Sequence, residues 1–197
     1  MNEKKVANRP AGLTAVIRNR FSPRVFTARP VTGEELERLF EAARWAASCY
    51  NEQPWSFVYA AKEDAEAFAG ILSALVPFNQ GWAKGAAAVG FAVAHMTFAK
   101  NGKPNAWGWY DTGAAMAQLS AQATAEGLVV HQMGGFDAAK AREVMGLPEG
   151  FDPAAAFAIG EMPELETLAA DVAAVEGVPS ERKPRAEFVF RGRWGQA

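Results

Sequence analysis

One cysteine, Cys49, in 197 residues excludes a disulfide within the chain, and with only two histidines beside it the thiol cannot complete a closed zinc site. A reducing, cytoplasmic setting is therefore the expectation. Excess charge is also lacking: 20 Lys plus Arg against 22 Asp plus Glu leave a formal charge of -2. That balance argues against a broad electrostatic footprint for nucleic acid or an anionic membrane, so any basic site must be local. No segment approaches an uninterrupted membrane span, and the opening MNEKKVANRPAGLTAVIRNRF has no apolar stretch of signal-peptide length. A soluble protein is expected. No internal repeat is visible.

Hydrophobic residues are plentiful, at 50% of the chain, enough for one well-packed domain over residues 1–197. Leu13 to Asn19 reads as a short helix, and Pro23 in RFSPRVF turns the following segment extended. In PVTGEELERLFEAARWAAS, Thr32 caps a helix, Glu35 completes a capping box, and Val31 staples against Leu36. Leu36, Leu39, Phe40, Ala43, Ala46 and Ala47 then share one face. WSFVYAA, AAAVGFAVAH, LVVHQM and AAAFAIGEM read as strands. KEDAEAFAGILSAL, the alanine-rich stretch from Tyr110 to Glu126, and DAAKAREVMG between Asp137 and Gly146 read as helices. AKNGKPNAWGW has loop composition, and the chain beyond about residue 163 has the weak periodicity of an arm. This mixture predicts an α+β domain or a three-layer α/β one.

Four stretches have candidate chemistry, each beside a plainer reading. In an extended RFSPRVF, alternate residues Arg20, Ser22 and Arg24 share a face and present two guanidinium groups and a hydroxyl to an oxyanion; they equally suit a solvated basic face. In AASCYNEQPWSF, Asn51 and Gln53 carry the donors and acceptors that read a flat heterocycle, or they simply end a helix. Gly134 and Gly135 leave backbone amides open to a ligand, or form a turn. Arg182 opens the basic run RKPR, a phosphate contact or a solvated tail.

The order of these pieces resembles the FMN-dependent nitroreductase family. RFSPRVF, PVTGEELERLFEAARWAASCYNEQPWSF, NQGWAKGAAAV, DTGAAMAQLSAQATAEGL, HQMGGFDAAKAREVMGLPEGF and ERKPRAEFVFRGRWG carry the likeness, from about Ile17 to Gly195. The resemblance implies a three-layer mixed sheet flanked by helices, and an intertwined homodimer with FMN at the subunit interface. The C-terminal arm would embrace the partner, and Ala114, Ala115 and Ala117 would suit a close dimer contact. It also implies that Arg20 and Ser22 contact the phosphate or ribityl chain, that Arg182 binds the phosphate from the C-terminal segment, and that Arg24 lies near the pyrimidine side. Asn51, with Gln53 beside it, would bond the isoalloxazine, and the amides of Gly134 and Gly135 would approach the reactive ring nitrogen and carbonyl. Three positions depart from the pattern: Phe21 where many members have a basic residue, Ala47 where many have proline, and Cys49 where many have serine.

The implied activity is transfer of electrons from NADH or NADPH through the flavin to a nitroaromatic, quinone or related small acceptor, in two half-reactions. The flavin carries the chemistry, so no catalytic side chain and no metal ligand is expected. Cys49 and His131 read first as packed side chains, while Phe98, Trp107 and Trp109 suit substrate contact and packing equally. The competing reading is a dimer that binds flavin or another small ligand without turnover.

Overall fold

In the computed structural model, residues 8–10 and 12–196 are described; the charged residues at the start of the chain lie outside them. The helices are α1 (Ala15–Asn19), α2 (Gly33–Arg44), α3 (Ala65–Ser73), α4 (Pro77–Ala83), α5 (Gly108–Ala125), α6 (Ala138–Met145) and α7 (Ala170–Glu176). The strands are β1 (Trp55–Ala61), β2 (Ala88–His95), β3 (Val129–Met133) and β4 (Phe151–Gly160). Among the described residues no helix is long and apolar enough to cross a membrane.

The strands form one sheet in the order β1-β2-β4-β3. Helices cover both faces, so the three layers of the expected α+β arrangement are present. Within them every pairing among the described strands is antiparallel rather than mixed. Strand β2 lies in the interior of the sheet. Its unbroken apolar run comes from burial on both faces, with Ala88 and Ala92 packed toward α2 and α5 and Val89, Phe91 and Val93 toward α3 and α6. Gly90 is required there because a Cβ would lie 2.5 Å from the Phe157 ring and from the Val58 carbonyl. Pro153 fits in β4 because the register shifts beside it, between Ala92 and Val93, and β3 pairs only with residues 156–160.

Local chemistry sets the helix ends. The Glu35 N–H donates to Thr32 Oγ1 at 3.2 Å and the Thr32 N–H to Glu35 Oε2 at 2.8 Å, completing the capping box. Val31 and Leu36 are buried in the same cluster. Helix α2 stops at Arg44, so Ala46 is buried from the following turn while Ala47 is exposed, off the helical face expected for it. Asp137 caps α6, which ends at Gly146 in the left-handed conformation at φ 62°. The short helix α4 has no apolar period in sequence; Pro77 at its start supplies the pre-set φ. On α5, Ala115 faces the core and is fully buried, which removes it from the surface expected to meet a second chain; Ala117 is exposed and Ala114 half-buried.

Candidate functional site

Residues 20–27 lie against the edge strand β3. The Pro23 carbonyl pairs with His131 Nδ1 at 2.8 Å, and the Thr27 N–H donates to the Glu161 carbonyl at 2.8 Å. Arg20 Nη1 donates to Ser22 Oγ at 3.2 Å, so these two side chains do share a face. Arg24 leaves them: its guanidinium lies 5.2 Å from the centroid of the Phe78 ring on α4, and its N–H donates to Glu176 Oε2 at 3.4 Å.

A residue that the sequence did not single out completes the basic group. Arg9 Nη1 donates to the carbonyl of Arg18 at 2.7 Å and also to that of Arg20, holding the C-terminal end of α1. Its Nη2 is buried without a hydrogen-bond partner among the described residues. The C-terminal segment returns to the same place through Asn8 Nδ2, which donates to the Ser180 carbonyl at 3.3 Å, and brings Arg182 within electrostatic reach. Burial first, then the Arg182 charge, lowers the Arg9 pKa; burial, then Arg9 and Arg182, lowers that of Arg20. Among the described residues none of the three has a carboxylate partner. Arg9 stands in the unpatterned tripeptide NRP, where only long-range convergence gives it meaning.

The glycine pair follows β3. The Gly135 carbonyl accepts from the Val76 N–H at 3.1 Å and from Asn79 Nδ2 at 3.0 Å, while Asn79 Oδ1 accepts from Trp82 Nε1 at 3.3 Å. A Cβ on Gly135 would meet Asn79 Nδ2 at 2.6 Å. Neither glycine N–H donates to an acceptor among the described residues. Helix α4 thus links the glycine pair, through Asn79, to Arg24, through Phe78. Trp82 also packs on His131 at 4.4 Å. Burial is the main cause that lowers the His131 pKa below its ordinary value, with Arg24 adding to it against the opposing Pro23 bond and Glu176 charge.

Asn51 and Gln53 lie elsewhere. Tyr50, Asn51 and Gln53 all take left-handed backbones, at φ 54°, 56° and 53°. Such a run of non-glycine residues is costly unless its surroundings hold it. They do so here. The Cys49 N–H donates to Asp111 Oδ2 at 3.0 Å, the Gln53 N–H to Ser48 Oγ at 3.0 Å, and the Ala99 N–H to Glu52 Oε1 at 2.5 Å. Gln53 Nε2 is turned inward onto the Asn51 carbonyl at 3.1 Å, whereas the Asn51 side chain is exposed and outside the described hydrogen bonds. Asn51 precedes β1 and Gly134 follows β3, at the same end of the sheet but on opposite edges. Three strand spacings, roughly 14 Å, separate those edges. No described hydrogen bond, ion pair or ring contact joins the amide turn to the arginine cluster. One chain therefore holds the candidate residues in two separate groups.

Among known proteins, the model of the nitroreductase family matches residues 17–161. The crystal structure of an oxidoreductase containing FMN is 36% identical with a TM-score of 0.85, over 94% of each chain. A protein from Desulfovibrio desulfuricans, solved in complex with FMN, shares the fold at 22% identity and a TM-score of 0.72, over 91% of this chain and 95% of that one. An uncharacterised 15.4 kDa protein of Mycolicibacterium smegmatis is 38% identical over 85 residues, 43% of this chain. The match spans 57% of that relative's length.

Proposed function

The chain belongs to the nitroreductase family, and from that premise we propose that it is an FMN-dependent oxidoreductase that passes electrons from NADH or NADPH to a nitroaromatic, quinone or related small acceptor. The observation that carries the reading is the convergence of Arg9, Arg20 and Arg182 within electrostatic reach of one another, with no carboxylate partner among the described residues and a buried Arg9 Nη2 left unpartnered among them. Like charges gathered in this way are unfavourable alone and favourable around a phosphate. The residues present therefore fit the phosphate of FMN. Arg9 would supply the second guanidinium that the chain lacks at Phe21.

In this reading Arg20, Ser22 and Arg182 would hold the phosphate and ribityl chain. The N–H groups of Gly134 and Gly135, unpaired among the described residues, would serve the reactive part of the ring system, and Arg24 its pyrimidine side. Fixed by its contact with Phe78, Arg24 would be a preorganised cation for negative charge developing there. When bound, FMN supplies the redox chemistry, accepting electrons from the nicotinamide and giving them to the acceptor in alternate half-reactions.

The two groups on opposite sheet edges favour a homodimer in which Asn51 of one copy meets the arginine cluster of the other, with FMN at the interface. Exposed apolar residues of the C-terminal arm, including Val175, Val178, Phe188 and Trp194, supply a surface for such an embrace. The purified protein should be yellow and should bleach with NADH or NADPH under nitrogen. A colourless protein that cannot be reconstituted with FMN would overturn the reading. Arg24→Ala should slow the reductive half-reaction or weaken FMN retention; stopped-flow absorbance and a flavin titration check both.

A further inference from the structure

Beside Asn51 a recess of about 580 Å³ opens between the Tyr50 turn and the 98–104 loop. Its size suits a small molecule. Tyr50 is 92% exposed, its backbone is held in the left-handed region, and its ring meets Phe98 edge-on at 6.2 Å. A flat side chain is thus kept out of the core by a backbone conformation that costs about 1–2 kcal/mol. The facing loop is closed on itself. The Phe98 N–H donates to the Lys103 carbonyl and the Gly102 N–H to the Phe98 carbonyl, both at 2.8 Å, and the Lys103 N–H to Asn101 Oδ1 at 3.0 Å.

That closure sets Lys100 and Lys103 in the lining of the recess. Neither forms an ion pair with another described residue. The one carboxylate there, Glu52, already accepts the Ala99 N–H at 2.5 Å. Two ammonium groups and one tethered carboxylate leave the wall positive beside two aromatic rings. We propose that this recess binds the electron acceptor and selects aromatic rings carrying an anionic group, such as a carboxylate; the word acceptor rests on the flavin reading above. A phosphorylated nicotinamide dinucleotide offers the same chemistry of flat ring and anion from the donor side, so the test separates the two.

Equilibrium dialysis of 4-nitrobenzoate and of neutral 4-nitrobenzyl alcohol reads the recess directly, whether or not flavin is bound. At low salt the wild-type protein should hold the benzoate about tenfold tighter than the alcohol, and 0.5 M NaCl should erase most of that ratio. In Lys100→Gln/Lys103→Gln the ratio should fall about tenfold, and Tyr50→Ala should weaken both ligands. Equal affinity of the wild-type protein for the two ligands at low salt overturns the proposal, even if the double variant fails to fold. So does a double variant that keeps the ratio but loses a preference for NADPH over NADH, which would assign the lysines to the donor. Failure of the flavin reading is seen separately, as a protein without FMN absorbance.

Discussion

Arg38 and Arg20 carry the same guanidinium group in opposite surroundings. Arg38 meets Glu126 at 2.9 Å, as Arg29 meets Glu35 at 2.5 Å, Arg44 meets Glu41 at 2.6 Å and Arg142 meets Asp152 at 3.1 Å. Hydrogen bonds to those carboxylates raise the pKa values of Arg29, Arg38 and Arg44. Arg20 lies within electrostatic reach of Arg9 and Arg182, and burial, then their like charge, lowers its value instead. Paired arginines brace surface helices; Arg9 and Arg20, half-buried, and the exposed Arg182 gather with no acid among the described residues, the arrangement proposed above to hold a phosphate. Position along the sequence says nothing of this difference, since both kinds occur within thirty residues of one another.

Arg20→Ala should therefore have the largest effect, and on FMN rather than on the fold. Losing a charge-assisted contact of about 1.5–3 kcal/mol weakens FMN binding by roughly 10- to 150-fold. Without FMN the variant should melt no lower than wild type, because a like-charge contact is relieved. Arg38→Ala, its paired counterpart, should leave FMN affinity unchanged. A fluorescence titration with melts in the presence and absence of FMN reads all three, and equal FMN affinity in wild type and Arg20→Ala would break the comparison.

The paired side is sharpened by Thr32→Ala. It removes the hydroxyl that accepts the Glu35 N–H, at a cost of about 1 kcal/mol, or a fall of roughly 2–4 °C in Tm for a chain of this size. FMN affinity should not move. A loss of FMN affinity as large as that of Arg20→Ala would show that the α2 cap and the arginine cluster are coupled.

His131, held by the Pro23 carbonyl and packed on Trp82, is a group that pH reaches. Its folded pKa is lowered below about 6.5, so the unfolded chain takes up a proton that the folded chain resists. Stability held above pH 6.5 is then lost as pH falls below it. Urea unfolding midpoints between pH 7.5 and 5 should decline, and His131→Gln should flatten that part of the curve. A decline unchanged in the variant would assign it to other groups.

How much was legible follows from the same contrast. Local signals were readable: Thr32 with Glu35, Asp137 with Gly146, and the apolar strands all act within a few residues. Arg20 and Ser22 were readable because alternation in an extended segment fixes their shared face. Arg9 was not, since nothing near it in sequence predicts that it closes on Arg18 and Arg20 or that Arg182 returns to it. Helix α4 was missed because Pro77 and Gly81 mask a turn whose stability comes from Gly135 and His131. The left-handed backbones of Tyr50 and Gln53 were invisible too, as neither residue type announces that conformation; Asp111 and Ser48 impose it from outside.

The smallest effect should come from the most exposed pair. Hydrogen bonds from Arg44, then Trp45, hold the Glu41 carboxyl at about 2 rather than its ordinary 4.5. The folded value is depressed, so the pair's contribution is present above pH 4.5 and is lost as pH falls toward 2. The shift is clear, yet solvent screens both partners and their side chains surrender freedom to meet, so little of it reaches the stability of the fold. An NMR titration should find Glu41 well below 4.5, while Glu41→Gln melts within experimental scatter of wild type at pH 7 and 0.5 M NaCl. A drop in Tm as large as that of Thr32→Ala would mean that this arginine pairing braces α2 as strongly as its cap does.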